Sequence, residues 1–184
     1  MRPIVVYATR TFHVLGALTL TGPARTPPDL TGADFPLWAG GDDGVPIPLT
    51  VPRTELGQAV VADQPGLHRV PLAFGVQEVN GVPRPDLRLL QPGDPSGGPL
   101  LPPSGNVTVG LAAAEVTVTL PADAEADLEV LLVVGGAGGT QRSETGQVPK
   151  GEREKRFRMN LSPGSYAALA LVETWRGVVH QATI

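Results

Sequence analysis

The chain has 184 residues, a formal net charge of −4 and no cysteine. The missing thiols exclude disulfides, thiolate zinc sites and a cysteine nucleophile together, and the acidic balance argues against a nucleic-acid surface. With 23 Gly and 20 Pro against four Phe, two Trp and two Tyr, long helices are disfavoured and many short strands joined by turns are expected.

A chain of this length buries roughly 70% of its unfolded surface, enough for a core without covalent staples. Charged residues are 17%, against about 25% in an ordinary soluble protein. Of the 14 basic residues 12 are Arg, the bias of a GC-rich genome, with a thermophilic source as the other explanation. The opening MRPIVVYATRTFHVLG is broken by Thr9, Arg10, Thr11 and His13 and is not read as a secretory leader. No run approaches the ~18 apolar residues of a membrane span. The expectation is a protein made in the cytoplasm.

In chain order, residues 3–20 read as one long strand or a bent pair. Residues 22–46, with Pro23, Pro27, Pro28 and Pro36 and the run GGDDG, are expected to be a long loop arm of the kind that contacts neighbours. Strand resumes at 47–51 and 70–79, and TELGQAVVAD between them is expected to form one short helix from a Thr54 cap. Asn80-Gly81 is a hairpin turn signal. Residues 83–105 hold seven Pro and are read as a semi-rigid connector. The domains expected are therefore an N-terminal β region, 1–82, and a C-terminal sandwich, 106–184. Within the second, about six strands recur at sandwich spacing: pieces of 106–120, then 128–134, then 153–161 with Phe157 inward, then 166–174 and 178–184.

The run Leu128–Val134 followed by Gly135, Gly136, Gly138 and Gly139 raises a phosphate loop. A dinucleotide loop needs a third Gly where Gln141 stands and a helix after it. Residues 140–155 offer a single apolar side chain, Val148, too few to dock a helix. The glycines are expected to end a strand in a mobile loop, and no cofactor is expected. Gly93-Asp94-Pro95-Ser96-Gly97-Gly98-Pro99 resembles the nucleophile loop of trypsin-like proteases with a Pro inserted before the Ser. That insertion breaks the oxyanion-hole spacing, and no enzyme activity is expected. Asp34, Asp42 and Asp43 match no calcium-loop spacing. Asp123, Glu125, Asp127 and Glu129 repel one another and are expected to be exposed, so no metal site is expected. Lys150 to Arg158 reads as a charged edge strand.

The candidate interaction residues are Phe35, Leu37, Trp38 and Trp175. Aromatics in loops anchor partners, and Trp175 is expected at the surface of a hairpin tip.

Leu161-Ser162-Pro163-Gly164-Ser165-Tyr166 resembles the L-x-P-G-x-Y corner of immunoglobulin-like and fibronectin III-like domains. The resemblance covers 106–184 and implies an Ig-like antiparallel β-sandwich, a fold with no common activity. One jelly-roll barrel over the whole chain is the alternative all-β architecture. As a whole, the low-charge, Cys-free, Pro- and Gly-rich chain loosely resembles capsid, decoration or tail-accessory proteins of bacterial viruses. That resemblance implies a structural virion subunit whose partners are further copies of itself and other structural proteins. A carbohydrate- or protein-binding β-module, with Trp38 and Trp175 lining a shallow glycan site, is the alternative.

Overall fold

A computed structural model of the chain describes residues 2–19, 28–39, 46–79, 82–90 and 106–184. The connector from 91 onward, including the protease-like Gly93–Pro99 run, and the Asp42-Asp43 and Asn80-Gly81 pairs lie outside the described residues. Among those described the protein is all-β, with two short 3₁₀ turns, no α-helix and antiparallel pairing throughout. No described helix is long and apolar enough to cross a membrane.

The bent pair at the N-terminus is a hairpin of β1 (Ile4–Ala8) and β2 (Val14–Leu18), with β5 (Leu56–Val60) on the far side of β1. Here the expected helix does not form. Arg53–Glu55 make a single 3₁₀ turn, and Leu56 to Val60 extend along Tyr7 and its neighbours in β1. Gly57 lets β5 lie close under the Tyr7 ring, since a Cβ there would sit 2.6 Å from it. Strand pairing and the burial of Leu56 and Ala59 outweigh the weak helical preference of the segment.

Part of the expected loop arm is also ordered as strand. Phe35–Ala39 form β3, paired with β4 (Ile47–Val51). Pro36 is accommodated because β3 has a neighbour on one side only, where a missing donor costs little. The same holds for the start of the Pro-rich segment. After a 3₁₀ turn at Pro71–Ala73 and β6 (Phe74–Val79), residues Val82–Leu89 form β7, an edge strand paired with β6 alone.

The C-terminal half has two sheets. One holds β12 (Glu154–Arg158), β9 (Glu115–Thr119) and β8 (Thr108–Leu111) in that order. The other runs β11 (Gln141–Val148), β10 (Leu128–Gly136), β13 (Ser165–Val172), β14 (Val178–Thr183). The basic strand β12 is an edge, as expected. The expected mobile loop after the glycines is instead β11, eight residues paired with β10 from Leu128↔Val148 to Gly135↔Gln141. Its polar side chains suit an edge strand with solvent on its surface.

Three hydrophobic cores lie in series. The first fills the C-terminal sandwich with Val116, Val118, Val130, Leu132, Val134, Phe157, Ala168 and Ala170. The second joins the halves: Leu131, Val133, Ala167, Leu169 and Leu171 meet Val6, Leu15, Ile47, Leu49, Val51 and Leu56. The third lies beyond β1, around Val5, Val14, Leu67, Phe74 and Leu87. Successive residues of β10 and β13 thus go to opposite cores, as the period of two requires. Both faces of their sheet are covered, which explains why these strands are continuous apolar runs.

Candidate functional site

The seam between the halves opens at one point into a groove of about 340 Å³. Its floor is Leu15, Leu37, Leu49 and Leu72. Trp38, Arg69, Val70, Arg176 and Val179 form its rim. β3 supplies Trp38 by simple alternation: Phe35 and Leu37 turn toward the second core, while Trp38 turns out. Trp38 is 67% exposed, the largest exposure of any big apolar side chain among the described residues. Val70 and Val179 are each more than 40% exposed beside it.

The groove is held open by backbone contacts. The Gly177 N–H donates to the Leu72 carbonyl at 3.0 Å, joining the β13–β14 turn to the 69–72 segment. A Cβ at Gly177 would come within 2.8 Å of a Leu171 methyl and 3.3 Å of Leu72 and His13, so Gly favours this close approach. Glutamine amides fasten the β3–β4 hairpin on either side. The Gln181 amide donates to the Ala39 carbonyl at 2.9 Å. The Gln141 side chain both accepts from the Thr50 N–H and donates to the Thr50 carbonyl, each at 2.6 Å, as a neighbouring strand does. Arg69 and Arg176 make no ion pair among the described residues.

Of the four expected interaction residues, the structure brings Leu37 and Trp38 to the groove. Phe35 faces inward over Gly16, where a Cβ would meet its ring at 2.7 Å. Trp175 is a correction: it is 7% exposed and part of the first core, not the surface of a hairpin tip. Thr174, in the left-handed region at φ 70, reverses the chain and turns the indole inward. The Trp175 N–H then donates to Val172 O at 3.0 Å.

The Trp175 carbonyl receives His13, which is fully buried. His13 Nε2 lies 2.6 Å from Trp175 O and Nδ1 lies 3.1 Å from Thr11 O. Carbonyls only accept, and a neutral imidazole has one N–H; the shorter contact takes it. Desolvation lowers the His13 pKa to about 4, against the opposing pull of the Trp175 and Thr11 carbonyls. His13 therefore acts as a neutral clasp between the halves.

A second hollow, about 230 Å³, is lined by Phe12, Gln77, Arg88, Glu173 and Thr174 among others. Phe12 and Thr174 are the two described non-glycine residues at positive φ. Their strain serves the tight β1–β2 and β13–β14 turns.

Three of the carboxylates weighed as cation ligands have other partners. Asp34 accepts the Arg53 N–H at 2.8 Å, Asp127 accepts the Lys150 N–H at 2.9 Å, and Asp123 pairs with Arg153 at 2.6 Å. Among the described residues no three His, Asp or Glu side chains converge in a metal-binding arrangement.

Sequence reasoning missed Arg69, Val70, Arg176 and Val179. They come from a turn-rich stretch and a hairpin, and no periodic pattern links them to Trp38. His13 was visible only as an isolated histidine, since its partner is 162 residues away. Neither a scan against protein-family models nor a search of curated proteins gave a match for this chain.

Proposed function

We propose that this protein is a non-enzymatic structural subunit that assembles with copies of itself and with other structural proteins, as in the virion of a bacterial virus. The observation that carries the assembly reading is the exposed cluster of Trp38, Val70 and Val179 over a leucine floor. Water-exposed apolar surface of this kind, rimmed by arginines, is the composition of a protein interface. The virion setting rests on composition: few charges, no Cys, abundant Pro and Gly, and an all-β build.

The C-terminal half we assign to Ig-like or fibronectin III-like sandwiches. Two observations support this. Its seven strands divide as first, second and fifth against third, fourth, sixth and seventh. The L-x-P-G-x-Y corner lies between the fifth and sixth, where Tyr166 enters the first core over Gly136. A carbohydrate-binding module is the second reading, favoured by the open indole of Trp38 alone now that Trp175 is enclosed.

Molar mass by light scattering behind a sizing column tests assembly. A dimer or larger species is expected within a hundredfold concentration range. A 19.1 kDa monomer at every concentration overturns self-assembly.

A further inference from the structure

We propose that the second hollow is a binding site for a small zwitterion, an apolar α-amino acid whose carboxylate is held by Arg88 and whose ammonium is held by Glu173. The inference goes beyond the assembly reading and does not depend on it. At about 230 Å³ the hollow falls below the roughly 300–1,000 Å³ of drug-sized ligand sites, so its occupant is small. Arg88 and Glu173, both half-buried, line it together. They form no ion pair with each other or with any other described residue. Of the Glu173 carboxylate only Oε2 is engaged among the described residues, accepting the Glu129 N–H at a long 3.5 Å. Half-buried charges without a partner lose hydration and gain nothing in return. A ligand carrying both opposite charges compensates the two at once: the planar guanidinium fork suits a carboxylate, and the free carboxylate oxygen accepts from an ammonium.

The rest of the wall fits the body of such a molecule. Phe12, 40% exposed, and the buried Leu90 give its side chain an apolar surface. Thr11 also lines the hollow, and its buried hydroxyl has no hydrogen-bond partner among the described residues. Orphaned groups of this kind are uncommon in folded proteins, and a polar ligand atom seated against Thr11 satisfies it. The lining comes from the β1–β2 turn, the β6–β7 pair and the end of β13, so the occupant touches both halves. It lies next to the clasp in which His13 meets the carbonyls of Thr11 and Trp175. A molecule bound only while these segments are together stabilises the fold by mass action.

Thermal unfolding and titration calorimetry of the full-length protein with L-alanine, L-valine, L-leucine and L-methionine test the site. A rise in Tm that grows with concentration is expected for at least one of them. Arg88→Gln and Glu173→Gln are each expected to raise its dissociation constant roughly tenfold or more, the scale of a charge-assisted hydrogen bond. Both variants are expected to keep the unliganded Tm, because Arg88 loses no ion pair and the new amide oxygen at 173 still accepts the Glu129 N–H. Isocaproate and isopentylamine, which carry one charge each on the leucine skeleton, are expected to give no rise. No rise with any of the amino acids overturns the site. A rise that both variants leave unchanged places binding elsewhere and overturns it too. An equal rise with either single-charge compound overturns the zwitterion.

Discussion

His13 joins two turns that are far apart in the chain, and its chemistry sets a pH dependence for the whole fold. Its folded pKa, about 4, lies below the ordinary 6.5, because burial penalises the imidazolium. Above pH 6.5 both the folded and the unfolded chain hold it neutral, and its contribution is complete. As pH falls from 6.5 towards 4, the unfolded chain takes up a proton that the folded chain refuses, and stability drops. At 1.36 kcal/mol per unit, the loss below pH 4 totals about 3 kcal/mol from this group. Denaturant midpoints measured from pH 7 to pH 4 are expected to show this fall, and His13→Gln is expected to flatten it. Equal slopes in the two proteins would assign the dependence to carboxylates instead.

Strand β10 and its glycines carry the element-scale lesson. The two pairs of glycines look alike in sequence yet do different work. Gly135 lies inside β10 where β4 crosses it, and a Cβ would stand 2.6 Å from the Pro48 carbonyl oxygen. Backbone cannot rotate away, so Gly135→Ala must displace β4 and the Gln141–Thr50 pairing with it. A loss of about 3 kcal/mol is expected, at the upper end of overpacking effects. Gly138 sits in the turn with nothing within 4 Å of its added Cβ, and Gly138→Ala is expected to change stability by less than about 0.5 kcal/mol. Thermal unfolding of the two variants checks this directly. Similar losses in both would mean that the glycines serve the turn alone. The apolar run and the turn were legible here; the strand after the turn was not. The polar string Gln141–Val148 carries no alternation; pairing with β10, the Gln141–Thr50 bonds and the buried Val148 hold it extended.

At the scale of the molecule, the four-stranded sheet is common property of both halves. The Pro-rich stretch reads as a boundary in the sequence, but Leu131, Val133, Leu169 and Leu171 are 0% exposed because β1 and β4 lie over them. Each such Leu or Val contributes roughly 1.5–3 kcal/mol when buried. A fragment of residues 106–184 therefore uncovers a continuous apolar face. It is expected to bind a hydrophobic dye and to self-associate, and adding the N-terminal half is expected to suppress both. A monomeric, dye-free fragment would show that this face is dispensable to the sandwich.

The sequence by itself determined the all-β class, the buried run of β10, the strand at β13, the inward Phe157 and the outward charges of β12. Alternation, Pro and Gly placement and continuous apolar stretches are local signals, set by the pleat and by turn chemistry. Tertiary structure alone decided the rest. It made Leu56–Val60 a strand, enclosed Trp175, left Trp38 at the surface and gathered Arg69, Arg176 and Val179 beside it. None of these follows from a residue's neighbours in sequence, because each is fixed by contacts with segments distant in the chain. The seam forms only when the odd-numbered face of β10 and β13 finds β1 and β4.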